Sequence, residues 1–253
     1  MNDIIKIDVG ADELSDHDTW RAAAAEFLAT LSFVFIGPGT VVMTGIAFGG
    51  SVDGAARLLT IALGHGLAIA VLVWATAHLS GGHINPAVTL AAFVTGKIKL
   101  AKGALYVIAQ VSGAVCGAFL LKSVIPNALE GGLGAHALSP AMASESAGLA
   151  LLLEGTMTFF LVFVIFATAM DRRGPGNMAP LAIGLAYMLG VFIAQPLTGG
   201  SMNPARTLGP AWAADMWSDH WIYWVGPLGG GVLAAVVYQA IFAQRGDAEA
   251  SEV

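Results

Sequence analysis

Two ten-residue segments of this chain are nearly identical, although 118 positions separate them. Residues 81–90 read GGHINPAVTL and residues 199–208 read GGSMNPARTL, so seven of the ten positions match. An internal repeat of this kind predicts a structure built from two related halves. Glu26 and Glu154 extend the correspondence toward the beginning of each half. We expect repeat one over residues 20–125, repeat two over residues 148–243, and a connecting outer loop over residues 126–147.

Six apolar segments are long enough to cross a bilayer, since about 20 residues span a hydrocarbon core of roughly 30 Å. Hydrophobic residues make up 57% of the chain and charged residues only 11%, which is too apolar for an ordinary soluble domain. We therefore expect an all-α integral membrane protein. Its six transmembrane helices are predicted at residues 20–43, 57–79, 103–125, 148–170, 177–196 and 221–242.

The basic residues orient these spans, because cytoplasmic loops are enriched in lysine and arginine. One face carries Lys97, Lys99, Lys102, Arg172, Arg173, Arg21 and Arg245, while Arg57 and Lys122 flank the spans on the other face. Both termini are therefore expected in the cytoplasm, with the chain in the plasma (cell inner) membrane. Most of the acidic residues lie in two tails, residues 1–19 and 244–253, which are expected to be solvated. No feature indicates a nucleic acid partner.

Each half contains three spans, so the second half must lie upside down in the membrane relative to the first. Inverted repeats with interrupted helices are typical of proteins with a solute pathway near the bilayer midplane. The interruptions here are two Asn-Pro-Ala triplets. They comprise Asn85, Pro86, Ala87, Asn203, Pro204 and Ala205.

Each triplet reads as the beginning of a helix, because asparagine is a favoured N-cap and proline suits the first turn. From Pro86 to Val94 such a helix would be about 14 Å long, close to half of the hydrocarbon core. The backbone before each triplet would then be extended at membrane depth, which is tolerated only where its carbonyls face a water-filled cavity. These predicted lumen-facing carbonyls belong to Gly81, Gly82, His83, Ile84, Gly199, Gly200, Ser201 and Met202.

Two half helices that enter from opposite faces would bring their amino ends together, each with a partial charge of about +0.5. Cations are repelled at such a point. We expect Asn85 and Asn203 to keep their amide hydrogens free to donate into the lumen. A water that accepts from both must turn its own hydrogens away, so the file of waters cannot relay a proton there.

The paired motifs SGGHINPAVT and TGGSMNPART, in register with six spans over residues 20–242, resemble the major intrinsic protein family of aquaporins and glycerol facilitators. The resemblance implies six helices with two re-entrant half helices, usually assembled as a homotetramer with one pore per subunit. It also implies that Glu26 and Glu154 accept hydrogen bonds from the re-entrant loops. The expected function is passive single-file conduction of water with protons and ions excluded.

The family's selectivity filter falls on His65, Val191, Gly200 and Arg206 of this chain. A strict water filter typically has Phe and His at the first two positions, so this filter resembles that of plant tonoplast intrinsic proteins, some of which pass ammonia. His136 in the outer loop is a candidate for the additional filter histidine of that group. An arginine at membrane depth costs about 2.5–3.5 kcal/mol on insertion scales, which favours a pore function for Arg206 over a purely structural one. Ammonia and hydrogen peroxide are candidate additional solutes.

Three alternatives remain open in the sequence. A glycerol facilitator usually has Asp directly after the filter arginine and a second Arg four residues later, where this chain has Thr207 and Ala211. A secondary transporter would place ion-coordinating carboxylates at the midplane. A junctional or structural membrane protein would keep the same fold with a closed pore.

No set of residues indicates a catalytic centre, a bound metal or a cofactor, so we expect no enzyme activity. A metal site with His78 and His83 would lack a third ligand. The lone cysteine, Cys116, is expected to be a small buried core residue.

Overall fold

The structure is a computed structural model that describes residues 9–48 and 54–243. Within these ranges all regular structure is helical. The predicted C-terminal tail, Arg245 and the first eight residues of the predicted N-terminal tail lie outside the described residues.

Within the described residues, six helices are long and apolar enough to cross a membrane, which confirms the predicted number of spans. The first, α1, begins three residues before its predicted first residue and continues beyond Met43, past the internal Pro38. The spanning helices are α1 (His17–Phe48), α2 (Gly54–Ser80), α4 (Leu100–Val124), α6 (Ala147–Ile165), α7 (Ala179–Ala194) and α9 (Ile222–Ile241). A π-helical turn at Phe166–Met170 extends α6, and a one-turn helix, α5 (Pro140–Ala143), lies in the outer loop.

The two half helices are α3 (Pro86–Val94) and α8 (Pro204–Ala214), and each begins at the proline of a triplet. Their lengths are about 14 and 17 Å at a rise of about 1.5 Å per residue, so neither can cross the bilayer. The side-chain oxygen of Asn85 accepts a hydrogen bond from the Ala87 amide, and that of Asn203 accepts from Ala205 and Arg206. The half helices therefore begin as N-capped helices, as the triplets predict.

The helices pack as two similar groups, α1 with α4 and α6 with α9, and α2 packs against α7 between the halves. Glycines allow the backbones to approach closely at these crossings. A Cβ atom on Gly113 would lie 2.3 Å from the carbonyl oxygen of Phe27, and one on Gly230 would lie 2.0 Å from that of Gly155. The α1–α4 and α6–α9 crossings therefore depend on the absence of a side chain at these glycines.

One expectation from the sequence is wrong. Cys116 is exposed on the outer surface of α4, not buried. Its neighbours Gly113 and Gly117 face α1, but the few polar residues of α4 are spread around the helix, so its sequence does not show which face meets lipid. The described part of the predicted N-terminal tail is exposed at most positions, and it is also anchored to α4, because the Ala101 amide donates to the carbonyl of Val9 at 2.9 Å.

Candidate functional site

The amino ends of α3 and α8 meet through a reciprocal pair of hydrogen bonds between their N-cap asparagines. The amide nitrogen of Asn85 donates to the Met202 carbonyl at 2.7 Å, and that of Asn203 donates to the Ile84 carbonyl at 2.9 Å. Each asparagine is nearly or fully buried. The two triplets, which are distant in sequence, therefore lie side by side in the middle of the bundle.

This pairing changes the expected role of the asparagine amides. Each amide group carries two hydrogens, and one of them is already donated to the opposite loop. One hydrogen per asparagine is left for the lumen, whereas the sequence suggested that both hydrogens are free. The carbonyls of Ile84 and Met202 accept the cross-loop bonds, so they connect the loops in addition to the predicted role as lumen-facing acceptors.

The two loops that precede the half helices have the same backbone conformation. The φ angles are 90° and 92° at Gly81 and Gly199, and 62° and 67° at the glycines that follow them. Ile84 and Met202 also adopt the left-handed region, with φ of 57° and 51°. Such angles are uncommon for side chains larger than glycine, so the surrounding contacts must hold these two residues in place.

Two fully buried glutamates provide those contacts. Glu26 accepts hydrogen bonds from the backbone amides of His83 at 2.9 Å and Ile84 at 2.6 Å, from the Ser80 hydroxyl, and from Gln110. Glu154 accepts from the amides of Ser201 and Met202, both at 3.0 Å, and from the Thr198 hydroxyl. Both carboxylates thus bond the residues whose backbone is strained.

The arginine of the second triplet region is held between α2 and the outer loop. The Nη2 atom of Arg206 donates to Nε2 of His65 at 3.0 Å, and its Nη1 atom donates to the Gly134 carbonyl at 2.7 Å. The Nδ1 atom of His65 lies 2.9 Å from the Ile61 carbonyl, which can only accept, so the hydrogen of the neutral ring belongs on Nδ1. Arg206 is only 1% exposed, so its guanidinium has a fixed position.

The remaining predicted filter residues lie around this arginine. Val191 and Gly200 are buried, and a Cβ atom on Gly200 would lie 3.3 Å from Cα of Val191. His136 reaches in from the outer loop: its Nδ1 atom lies 2.8 Å from the Thr207 hydroxyl, and its ring stacks on Tyr223. The structure therefore brings the predicted filter residues to one outer region of the bundle.

Burial lowers the pKa of His136 well below its usual value, and the nearby positive charge of Arg206 lowers it further. The Nε2 atom of this histidine is buried and has no hydrogen-bond partner among the described residues. A neutral ring at this position therefore adds no second positive charge beside the arginine.

The inner side of the asparagine pair opens into a cavity of about 460 Å³. Its wall includes Gly81, Gly82 and His83, whose carbonyls the sequence assigns to the lumen, together with Asn85. The side chain of His83 points to Thr89, with 3.1 Å between Nδ1 and Oγ1. The cavity gives solutes a route from the inner face to the first triplet.

Sequence reasoning missed three contributors to this region. Tyr187 lines the inner cavity and donates to the Ser201 carbonyl at 2.5 Å. Phe33 packs its ring edge against Tyr187 and against His65. The Gly134 carbonyl accepts from Arg206 only because the outer loop folds inward, and the sequence does not show that fold. Tyr187 lies one helical turn before Val191, and this spacing could have indicated that both residues share one face of the helix.

These features define the class of protein: a membrane channel built from an inverted repeat, with its narrow region between two half helices. Residues 13–238 match the family model described as major intrinsic protein. The chain belongs to the major intrinsic protein family, whose members are channels and not enzymes. The predicted family and fold class are confirmed.

The most informative relatives are aquaporins from plants and a mammal. The chain is 45% identical to aquaporin TIP4-4 of Zea mays, covering 94% of this chain and 92% of the relative. It is 46% identical to aquaporin-4 of Mus musculus, covering 88% and 68%. Among solved structures, the aquaglyceroporin from Plasmodium falciparum superposes with a TM-score of 0.76 at 24% identity, covering 88% of this chain and 96% of that one. The last likeness supports the fold alone.

The comparisons also bear on localisation. The family and the six spanning helices confirm an integral multi-pass membrane protein. The expectation of a plasma membrane is not supported, because several relatives, including aquaporin TIP4-4, are of the tonoplast type.

Proposed function

We propose that this chain is a passive water channel that conducts molecules in single file and excludes protons and other ions. The observation that carries the proposal is the reciprocal pairing of Asn85 and Asn203 across the two loops. It brings two helix amino ends and two amide donors to the same point, beside a cavity open toward the inner face. A cation is repelled there, while a water oxygen is a suitable acceptor.

The geometry of the hydrogen-bond donors supports proton exclusion. The asparagine oxygens are occupied by the amides of Ala87 and Ala205, so the asparagines offer hydrogens and not acceptors to the lumen. A water that accepts from them points its hydrogens away from the midplane on both sides. The hydrogen-bonded file of waters is then interrupted in direction at the asparagine pair.

The outer filter consists of His65, Val191, Gly200 and Arg206, with His136 as an additional member. The fixed guanidinium repels cations and donates to a passing neutral solute. Val191 and Gly200, which lie next to each other, contribute small walls to the same filter. Such a filter suits ammonia and hydrogen peroxide as well as water, and the relatives named as aquaporins support water as the principal solute.

The same proposal covers the arrangement of the chain in the membrane. The lysines and arginines near the inner cavity favour a cytoplasmic location for both termini. Repeat one (20–125) and repeat two (148–243) form a single channel domain with the outer loop (126–147), and four copies assemble with one pore per subunit.

Stopped-flow light scattering on proteoliposomes tests the proposal. Water permeability should clearly exceed that of empty liposomes, and the same preparation is then compared for ammonia, hydrogen peroxide, urea and glycerol. Val191→Trp should abolish the water signal, because the new ring fills the filter. Val236→Trp is the matched control, since Val236 is 50% exposed on the outer face of α9. Water flux equal to that of empty liposomes would favour the closed-pore alternative, and saturable gradient-coupled uptake would favour the transporter.

A further inference from the structure

We propose that the ring of Tyr187, and not the four-residue outer filter, sets the largest solute that this channel passes. This inference rests on the proposed function. The filter combines two bulky side chains with two small walls, at Val191 and Gly200. One turn further inward on α7, about 6 Å along the helix, the wall residue is a tyrosine.

Spacing along α7 directs this side chain toward the conduit. Residues four apart share one face of a helix, and Ile183, Tyr187 and Val191 follow that spacing. Ile183 and Tyr187 both line the inner cavity, and Tyr187 also contacts the filter region, where its ring lies parallel to that of His65 with 6.4 Å between centroids. The tyrosine therefore stands between the open inner cavity and the outer filter.

The ring is fixed on several sides. Its hydroxyl donates to the Ser201 carbonyl, and the amide of the same residue is bonded to Glu154. The Phe33 ring packs edge-on at 5.4 Å between centroids, and Tyr187 itself is 1% exposed. A solute cannot displace this ring without breaking the bond to the loop.

The backbone behind the ring is equally unable to move away. A Cβ atom on Gly184 would lie 2.4 Å from the Gly66 carbonyl oxygen, and one on Gly66 would lie 2.6 Å from the Gly184 carbonyl oxygen. Helices α2 and α7 are therefore in direct backbone contact beside Tyr187. Widening the conduit would require the two helices to separate.

The inverted repeat supplies a comparison within the chain. The position that corresponds to Tyr187, 118 residues earlier, is Ile69, which also lines the inner cavity. An aliphatic residue at this register is therefore compatible with the fold in the other half. At this register the first half has Ile69, and only the second half, which also carries Arg206 of the filter, has an aromatic residue.

Glycerol permeability of proteoliposomes tests the inference. Tyr187→Ile should raise the ratio of glycerol permeability to water permeability by at least about tenfold, which corresponds to about 1.4 kcal/mol of relative barrier. Tyr187→Phe removes the hydroxyl but keeps the ring and its packing against Phe33, which also holds the ring in place, so it should still exclude glycerol. Val191→Ala widens the filter on the same helix face and should also exclude it. Tyr187→Met is the second variant, because a flexible thioether tolerates irregular packing; it should admit glycerol to a smaller extent.

The inference is overturned if Tyr187→Ile or Tyr187→Met conducts water but continues to exclude glycerol. It is equally overturned if Val191→Ala admits as much glycerol as Tyr187→Ile, or if Tyr187→Phe admits glycerol, because the ring is then not the limit. Wild-type vesicles without water flux would instead contradict the proposed function, so the two failures are distinguishable.

Discussion

The two re-entrant loops are built alike but differ in what they present to the conduit. Each has the same sequence of positive φ angles, a buried glutamate that accepts from two backbone amides, and an N-cap asparagine that donates to the other loop. The tyrosines Tyr106 and Tyr223 extend the likeness, since their hydroxyls donate to the carbonyls of Ser80 and Thr198. The main supports of the two loops are therefore duplicated, and Gln110 is an additional donor to the glutamate of the first loop.

The difference lies at the residue after each triplet. The first loop has Val88, which lines the wide inner cavity, and the second has Arg206, which is held by His65 and Gly134. The first half therefore provides an open vestibule, and the second provides a charged and narrow filter. A symmetric scaffold can carry an asymmetric function because the loop conformation depends on the glutamate, whereas the positive charge of the filter depends on one exchangeable position.

The largest expected effect comes from removing the glutamates. Glu26→Ala and Glu154→Ala each leave two buried backbone amides without an acceptor, at about 1–3 kcal/mol per group. We expect both variants to lose stability by similar amounts, measured as thermal unfolding in detergent. Glu145→Ala, at an exposed position of the outer loop, is the control. A large loss in only one of the two variants would show that the loops are not equivalently supported.

Arg206→Val gives the second loop the residue that the first loop has after its triplet, Val88. It removes the fixed positive charge, so we expect cation permeability to rise by about tenfold or more, which is about 1.4 kcal/mol of barrier. Ion flux into proteoliposomes measures the change, with Val88→Ala as the matched control in the other half. Unchanged ion selectivity would argue against the placement of Arg206 in the filter.

His136 belongs only to the outer side and should make stability depend on pH. Because burial lowers its folded-state pKa, the unfolded chain binds more protons, and stability is lost as pH falls below about 6.5. This histidine should contribute a loss of up to about 2 kcal/mol between pH 7 and pH 5. Thermal unfolding of wild type and His136→Asn at both pH values measures it. Equal pH dependence of the two proteins would be inconsistent with a buried neutral His136.

The smallest expected effect concerns Cys116, which belongs to neither re-entrant loop because it lies on the outer surface of α4. The filter position Gly200 carries no thiol that a mercurial could bind, so mercurials should leave water flux nearly unchanged. A membrane-permeable thiol reagent should nevertheless label Cys116, since its side chain is exposed. Strong inhibition by mercurials that disappears in Cys116→Ser would mean that this surface communicates with the conduit.

The sequence predicts the parts of this structure that local rules govern. The six spans follow from their apolar length, and the start of each half helix follows from an asparagine N-cap before a proline. The ends of the spans differ by a few residues because polar residues such as His17 and Asp18 can form the first turn of a spanning helix. The meeting of Asn85 and Asn203 was expected from the inversion of the halves.

Contacts that depend on the placement of distant segments could not be predicted. The Gly134 carbonyl reaches Arg206 only because the outer loop folds into the bundle, and the cross-loop donation by the asparagines requires the exact separation of the half helices. The predicted burial of Cys116 was wrong because the few polar residues of α4 are spread around the helix and do not indicate its lipid side. Tyr187 was overlooked because its role appears only when α7 is placed beside the second loop.

Paired measurement of water and proton flux in the same proteoliposomes tests the central claim most directly. If the two half helices present their amide donors to one continuous conduit, osmotic water permeability rises well above that of empty liposomes while proton leakage stays at their level. Water permeability without any increase, or an increase in both fluxes together, would contradict the account.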